Sequence, residues 1–235
     1  MARLPIVAID GPAGAGKSTV ARGLARRLGF DLLDTGALYR AVALLALRRG
    51  VALDDDRGLS EIVAALPIHF QLQGEVNRVF LGEEEVSEAI RTPEVSRAAS
   101  AVSARPVVRE GLLGLQRRLA ERGGVVLEGR DIGTVVFPDA EVKVFLTASV
   151  EERARRRCEE LREKGMATTL EETLREVCAR DRQDSTRAHA PLRKADDAVE
   201  VVTDGVGVAE VIERLAALVF ARAGRASGTE GGKGV

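Results

Sequence analysis

The sequence predicts an α/β fold in which a central parallel sheet is flanked by helices. Short apolar runs typical of buried strands alternate with longer helical patterns. The first apolar run is followed directly by a glycine-rich turn and then by a helical pattern. One stretch breaks this alternation, because two strand-like runs succeed one another around Gly74. That stretch predicts a small antiparallel lobe beside the parallel sheet.

The elements of the first half follow from local patterns. "LPIVAID" is typical of a fully buried strand. A helix over 18–29 follows it and ends at a glycine, a residue that readily closes a helix. "FDLLD" predicts a second short strand, and 37–49 predicts a second helix. The antiparallel lobe is predicted from "PIHFQLQGEVNRVFLGEEEV", which contains a second glycine turn at Gly82.

The second half continues the alternation of helices and strands. Its predicted helices cover 96–122 (interrupted at Arg105-Pro106), 153–164, 170–184 and 208–222, and its predicted strands are "GVVLEG", "AEVKVFLTA" and "AVEVVT". Strands separated by helices favour a parallel, doubly wound sheet. The glycine-rich end of the chain, over 223–235, predicts a flexible tail.

Composition excludes several classes of protein. The 235 residues suit one α/β domain with a lobe, and the net charge of −1 argues against binding to nucleic acid or a membrane surface. No apolar run has the length of a signal peptide or a membrane span. The two cysteines have no Cys-x-x-Cys spacing and the two histidines lie far apart, so we expect neither a disulfide nor a zinc site. We therefore expect a cytoplasmic monomer.

The run "GPAGAGKS" matches the phosphate-loop pattern G-x-x-x-x-G-K-[ST] between a strand and a helix. Glycines let backbone N–H groups converge on phosphate oxygens, and the helix N-terminus adds a positive field. Lys17 is expected to neutralise the β- and γ-phosphates, and the Ser18 hydroxyl to ligate Mg²⁺. The predicted triphosphate site comprises Gly11, Pro12, Ala13, Gly14, Ala15, Gly16, Lys17, Ser18 and Thr19.

This loop does not identify the acceptor of the terminal phosphate. A regulatory GTPase needs an Asn-Lys-x-Asp loop, but the single asparagine, Asn77, is followed by Arg78. Kinases that act on hydroxyls usually need a carboxylate base, whereas a nucleoside monophosphate is already a dianion near neutral pH and needs arginines to offset its charge. Arginines follow the expected strand ends, at Arg40, Arg130, Arg180 and Arg187. This pattern favours a phosphate acceptor.

Five motifs make the sequence similar to one family. "DGPAGAGKST", "LLDTGALYR", "EGRDIGTVVFPDA", "EERARRR" and "RDRQDSTRAHAPL", in this order, resemble the bacterial cytidylate kinases, which are P-loop nucleoside monophosphate kinases. The resemblance implies ATP as donor, CMP or dCMP as acceptor and Mg²⁺ as cofactor. It also implies one kinase domain over 1–222, with a monophosphate-binding insert over about 67–100 and a lid over about 150–187.

The resemblance further implies a CMP site assembled from distant parts of the chain. Its implied members are Arg40, Arg130 and Arg187 at the acceptor phosphate, Thr35, Arg109 and Asp131 around the cytosine, Ser100, Arg180 and Asp184 at the ribose, and Tyr39 packed against the nucleotide. Asp131 suits this role chemically. Its carboxylate accepts a hydrogen bond from the exocyclic amine of cytosine, where uracil carries an acceptor instead.

Arginines of "EERARRR" are implied to lie on a mobile lid that closes over the transferring phosphoryl group. The expected catalytic set is Lys17, Arg130, Arg187, Arg157 and Arg153. Glu128 is a second candidate ligand for Mg²⁺, directly or through water.

Several of these residues also have ordinary structural explanations. Arg109 has the alternative explanation of an exposed arginine on a helix, and Tyr39 that of an aromatic residue in the core. Asp131 has the alternative explanation of a residue that caps the next segment. The arginines over 153–157 fit a solvated helix face paired with neighbouring glutamates. Two other functions stay open, a hydroxyl-directed kinase of the shikimate type and a nucleotide-gated switch.

Overall fold

The fold confirms the predicted parallel sheet, its flanking helices and the antiparallel lobe. The computed structural model describes residues 3–73, 76–163 and 165–226, excluding the side chains of 72, 73, 76, 77 and 223–226. In chain order the strands and helices are β1 (Ile6–Asp10), α1 (Lys17–Leu28), β2 (Asp31–Asp34), α2 (Thr35–Arg49), α3 (Asp56–Ala64), β3 (Ile68–Gln73), β4 (Val76–Leu81), β5 (Glu84–Glu85), α4 (Pro93–Ser103), α5 (Pro106–Leu119), β6 (Val125–Gly129), β7 (Val142–Thr147), α6 (Val150–Glu163), α7 (Leu170–Thr186), β8 (Val199–Val202) and α8 (Val208–Ala226).

The chain divides into two compact units. The first consists of Met1–Leu33 with Ala120–Val235, and the second is Asp34–Leu119. The insert predicted over about 67–100 falls inside the second unit. In that unit, α2, α3 and α5 share one apolar core with the strands of the lobe.

The first unit is built on a five-stranded sheet with the order β2-β6-β1-β7-β8. Strand β1 pairs in parallel with both β6 and β7, and β7 pairs in parallel with β8. Every residue of β1 and β6 is buried, as expected for strands covered on both faces. Helices α1 and α8 pack together, and Leu24, Leu146 and Leu215 join them to the sheet in one core. The carboxyl ends of β1 and β6 thus lead directly into the predicted site segments.

The second unit combines four helices with a three-stranded antiparallel sheet, β3-β4-β5. In this sheet Ile68 pairs with Leu81, and Phe80 pairs with Glu85. Helix α2 packs against α4, and α3 packs against α5. Leu38 and Val42 of α2 are fully buried. The turn predicted at Gly74 lies outside the described residues.

Several helix boundaries differ from the sequence prediction, and one helix was not predicted. Helix α2 begins at Thr35 rather than at 37, because the Asp34 carboxylate caps it by accepting a hydrogen bond from Ala37 N. Helix α3 was not predicted, and Asp55 caps it. Helix α8 continues to Ala226 rather than 222, since one glycine lowers helix propensity without ending a helix. The rest of the predicted tail, 227–235, lies outside the described residues.

A short π-helix over Ile132–Val136 follows β6, and the sequence did not predict it. The predicted break at Arg105-Pro106 is confirmed, because α4 ends at Ser103 and α5 begins at Pro106. Across the described part of the chain, helices with enough length and apolar character to cross a bilayer do not occur.

Candidate active site

The phosphate loop connects the end of β1 to the first turn of α1. Gly11 has φ 153°, and a β-carbon there would lie 2.0 Å from the carbonyl oxygen of Leu146. Only glycine allows the chain to pass this close to β7. The backbone course of the loop is therefore set by its packing against the sheet.

Lys17 opens α1 and is buried, with 6% of its surface exposed. Its Nζ donates a hydrogen bond to the carbonyl oxygen of Pro12 at 2.7 Å. Burial lowers the pKa of Lys17 well below its usual value, and the positive charge of Arg130 lowers it further. Arg180 acts in the same direction, whereas the carboxylates of Glu128 and Asp184 oppose the shift. Lys17 thus shares one electrostatic environment with residues predicted to bind the acceptor.

Ser18 and Glu128 lie together at the start of α1 and the end of β6. The Ser18 Oγ donates a hydrogen bond to Glu128 Oε2 at 2.8 Å, and Glu128 is buried. The structure therefore brings the two predicted metal-ligating residues into contact.

A charged cluster follows β6 and includes the end of α7. Arg130 Nε donates to Asp184 Oδ2 at 2.8 Å. The Arg187 guanidinium lies 3.6 Å from Asp131 Oδ1 and 3.9 Å from Asp184 Oδ1. Burial acts to raise the pKa of Asp184, but Arg130, Arg180 and Arg187 hold it below its usual value. Asp184 is thus ionised at neutral pH, and the five predicted acceptor residues of the first unit form one cluster.

The residue that caps the π-helix is Asp10, from the end of β1. Asp10 Oδ1 accepts a hydrogen bond from Ile132 N at 2.8 Å, and Oδ2 accepts one from Gly133 N at 2.7 Å. Asp131 is the residue that precedes this helix, yet its side chain makes no capping hydrogen bond. The structural explanation in which Asp131 caps the next segment is therefore wrong.

In the second unit, Asp34 orients one predicted site arginine. Its Oδ1 accepts a hydrogen bond from Ala37 N at 3.1 Å, and its Oδ2 accepts one from Arg40 Nη2 at 2.5 Å. The buried Nε of Arg40 has no hydrogen-bond partner among the described residues. Asp34 thus caps α2 and also fixes the guanidinium of Arg40, whose Nε–H group stays available as a donor.

Tyr39 and Arg109 pack together in the second unit. The Arg109 guanidinium carbon lies 5.5 Å from the centre of the Tyr39 ring. Its Nη1 also donates to the carbonyl oxygen of Ser103 at 3.2 Å. Arg109 is only 9% exposed, so it is not the exposed helix arginine of the structural explanation. Thr35 is buried and Ser100 is half-buried, on helices α2 and α4, which pack together.

The arginines of "EERARRR" divide into two groups. Arg155 and Arg157 form ion pairs with glutamates of their own helix, as a solvated helix face would. Arg153 instead donates to the carbonyl oxygen of Ala13 at 3.1 Å and pairs with Asp181 of α7 at 2.6 Å. Arg156 Nη1 donates to Thr203 Oγ1 and lies 3.7 Å from where a β-carbon on Gly16 would be. Arg156 also pairs with Glu152 of its own helix at 2.8 Å. Arg153 and Arg156 are thus the two arginines of this segment that lie beside the phosphate loop.

Comparison with known proteins identifies the family. The model of the family described as cytidylate kinase matches residues 7–220. The chain belongs to the cytidylate kinase family. A cytidylate kinase of Geobacter sulfurreducens is 56% identical over 217 residues, which cover 92% of this chain and 93% of that protein. One of Syntrophotalea carbinolica is 54% identical over 222 residues, 94% of each chain.

The similarity to solved structures concerns the fold alone. The crystal structure of an uncharacterized protein from Eubacterium ventriosum is 13% identical, with a TM-score of 0.50, and the match covers 92% of this chain and 98% of that chain. The family match confirms the resemblance to the cytidylate kinases that five sequence motifs predicted.

Sequence reasoning missed three residues that hold parts of the predicted site in place, Asp10, Asp34 and Asp181. It included Arg156 only as one of the arginines of "EERARRR". Asp34 had a detectable signal, because an aspartate before a helical pattern is a common N-cap. The partners of Asp10 and Asp181 lie far along the chain, so no local pattern marks them. Arg156 cannot be distinguished from its neighbours without knowing the face of α6 that meets the phosphate loop.

The buried carboxylate of Asp10 gives the stability of this family member a specific pH dependence. Burial raises the pKa of Asp10 from 3.8 to about 6. The N–H groups of Gly133 and Ile132 and the charge of Lys17 oppose this shift, and the charge of Asp131 adds to it. A pKa that is higher in the folded state means that the folded state binds the proton more tightly. The resulting stabilisation is fully present below pH 3.8 and is lost as the pH rises through about 6.

We predict that Asp10→Asn removes this dependence, because asparagine carries no charge at any of these pH values. Relative to the variant, the wild-type free energy of unfolding should fall by about 2 kcal/mol between pH 4 and pH 7. Urea unfolding of both proteins at several pH values, followed by circular dichroism, measures this difference. A constant difference across the range would contradict the burial of an ionised Asp10.

Proposed function

We propose that this protein transfers the γ-phosphoryl group of ATP to the phosphate of CMP or dCMP, giving ADP and CDP or dCDP, the reaction of its family. The observation that carries the proposal is the electrostatic environment that Lys17 shares with Arg130, Arg180 and Asp184. Lys17 belongs to the phosphate loop, and Arg130 and Arg180 are predicted to hold the acceptor. The charges of these arginines act directly on Lys17. Such a cluster suits a reaction whose main obstacle is repulsion between two polyanions.

On the donor side, we propose that the backbone N–H groups of 11–16 and the Lys17 ammonium hold the β- and γ-phosphates. The contact of Lys17 Nζ with Pro12 supports this role, because it keeps the ammonium close to the loop. Negative phosphate oxygens favour the charged form of Lys17 and so oppose the effect of its burial.

On the acceptor side, we propose that Arg40, Arg130 and Arg187 bind the monophosphate. The available Nε donor of Arg40 and the loose ion pairs of Arg187, at 3.6 and 3.9 Å, support this role. A guanidinium offers several donors to phosphate and keeps its charge. The monophosphate is mostly a dianion at neutral pH, so one of its oxygens attacks in line and no protein base is required.

We propose separate roles for the other predicted acceptor residues. Asp131, Thr35 and Arg109 recognise the cytosine, and Tyr39 packs against the nucleotide. Ser100, Arg180 and Asp184 contact the ribose. The packing of Arg109 on Tyr39 and the absence of a capping bond to Asp131 support two of these roles.

The catalytic roles of Arg153 and Arg157 on the lid stay predictions, and we propose Arg156 as a further candidate from its position beside Gly16. The contact of Arg153 with the Ala13 carbonyl supports a role at the phosphate loop. Arg157 pairs with Glu160 at 2.7 Å, so it must exchange this partner to reach a phosphate.

The donor set of Ser18 and Glu128 fits Mg²⁺. A hydroxyl and a carboxylate supply hard oxygen ligands, and Mg²⁺ typically takes only one or two protein oxygens beside phosphate and water. The hydrogen bond between them shows that both oxygens reach one point. When held by Ser18 and Glu128, Mg²⁺ would offset the negative charge of the ATP phosphates. We also propose that the protein works as a cytoplasmic monomer on free nucleotides.

An acceptor panel tests the proposed reaction. We predict that CMP and dCMP stimulate ADP release from ATP strongly, that UMP and AMP do so more weakly, and that shikimate has no effect. A coupled ADP-release assay with each acceptor measures the rates. Stimulation by shikimate would indicate a hydroxyl-directed kinase. Slow hydrolysis that no acceptor stimulates would indicate a nucleotide-gated switch.

Arg130→Ala tests the role of the arginines in catalysis. We predict a kcat at least about 100-fold lower, the usual effect of removing a group that stabilises transition-state charge. The fold should persist, because Arg180 and Arg187 still act on Asp184. Arg175→Ala is the control, since Arg175 belongs to the same unit, is exposed, and pairs with Glu171 at 3.7 Å. Wild-type turnover in Arg130→Ala would remove this residue from the mechanism.

Ser18→Ala and Glu128→Gln test the proposed metal ligands. We predict that each variant needs at least about tenfold more Mg²⁺ for half-maximal activity at fixed ATP, since Ser18→Ala loses a hydroxyl ligand and Glu128→Gln loses the negative charge of a carboxylate ligand. Ser60→Ala, at an exposed position of α3, is the control and should match the wild type. An unchanged Mg²⁺ requirement in both site variants would contradict the assignment.

A further inference from the structure

The cap of the π-helix is supplied across the sheet by a different strand. Asp10 ends β1, and its carboxylate accepts hydrogen bonds from the first two N–H groups of the helix, those of Ile132 and Gly133. These partners lie 122 and 123 positions further along the chain. Helix caps usually come from the residue just before the helix, which here is Asp131.

Because Asp10 caps the π-helix, the Asp131 side chain does not serve as its cap. An aspartate at the N-cap position usually bonds the second or third N–H group of its helix. Asp10 already bonds the second N–H group, that of Gly133. The Asp131 carboxylate makes no capping bond and lies 3.6 Å from Arg187 instead.

The side chains of Asp10 and Lys143 both lie close to the backbone of Gly133. A β-carbon on Gly133 would lie 3.2 Å from Lys143 Cδ and 3.4 Å from Asp10 Oδ2. The Lys143 ammonium is in turn paired with Asp197 at 2.8 Å. The segment after Asp131 is therefore enclosed between β1 and β7, and Asp10 has little room to turn away from it.

We propose that Asp10 is a positioning residue for acceptor-base specificity, which keeps the Asp131 carboxylate away from the π-helix cap and directed at the acceptor nucleotide. This inference rests on the proposed recognition of cytosine by Asp131. Without Asp10, the N–H group of Gly133 would attract the Asp131 carboxylate as an ordinary N-cap. The site would then lose the acceptor that distinguishes the amine of cytosine from the carbonyl of uracil.

The test compares kcat/KM for CMP with kcat/KM for UMP in four variants. They are Asp10→Asn, Asp131→Asn, the double variant and Asp55→Asn. Asparagine keeps the shape of Asp10 but accepts through one atom only, so one N–H group loses its partner. Asp55→Asn is the matched control, because Asp55 also accepts two backbone N–H groups, those of Arg57 and Gly58, at the start of a helix outside the proposed site.

We expect Asp131→Asn and Asp10→Asn each to lower the CMP/UMP ratio at least about tenfold, the effect of one lost charged hydrogen bond. The double variant should match Asp131→Asn, because Asp10 acts through Asp131. Asp55→Asn should keep the wild-type ratio. A purely structural role of Asp10 would lower both rates together and leave the ratio unchanged.

The outcomes separate this inference from the proposed function. If Asp131→Asn lowers the ratio and Asp10→Asn does not, the inference is wrong and the recognition of cytosine stands. If Asp131→Asn leaves the ratio unchanged, both are wrong. Additive effects in the double variant would also overturn the inference. Should Asp10→Asn not fold, Asp10→Ser takes its place, and failure of both to fold would show that Asp10 serves the fold as a whole.

Discussion

Mutual compensation of buried charges is the constraint on which the site depends. Lys17, Asp131, Asp184 and Arg187 are almost fully buried, and a buried charge is costly unless it is paired. The contact of Arg130 with Asp184 at 2.8 Å is a close ion pair, whereas those of Arg187 are longer. Burial lowers the pKa of Lys17, and the charges of Arg130 and Arg180 lower it further. Phosphate anions would favour the charged form of Lys17, which is why such a cluster suits nucleotide substrates.

Aspartates at helix starts serve the site as well as the helices. Asp34 caps α2 and orients Arg40, and Asp10 caps the π-helix in the place of Asp131. Asp55 caps α3 alone, with no site residue attached. The Asp34 carboxylate satisfies a backbone N–H group and also fixes the Arg40 guanidinium, and the Asp10 carboxylate fixes the backbone that follows Asp131. Side chains held in this way are already ordered before a ligand binds, which lowers the entropy cost of binding.

Arginines of α6 hold this helix to other parts of the first unit through backbone carbonyls. Arg153 donates to Ala13 and Ala148, and Arg156 donates to the carbonyl oxygen of Thr203. Arg153 also pairs with Asp181, one turn before Asp184 on α7. Through this chain of contacts, the helix that carries the predicted acceptor residues Arg180 and Asp184 is held to the phosphate loop.

Local pattern alone determined much of this protein. The phosphate loop and its flanking strand and helix are encoded within the continuous stretch 6–28, because glycine spacing and hydrophobic periodicity act locally. The order of five short motifs was enough to predict the family. The sequence did not predict the π-helix, helix α3, the start of α2 or the end of α8. Local propensities are weak at these places, so caps and packing decide the conformation.

Only the tertiary structure decided how the site residues are held. It separated Arg153 and Arg156 from Arg155 and Arg157, because that difference depends on which face of α6 meets the phosphate loop. It also assigned the cap of the π-helix to Asp10 rather than to Asp131. The physical reason is distance along the chain. A hydrogen bond between residues more than a hundred positions apart exists only after β1 and β6 have paired in the sheet.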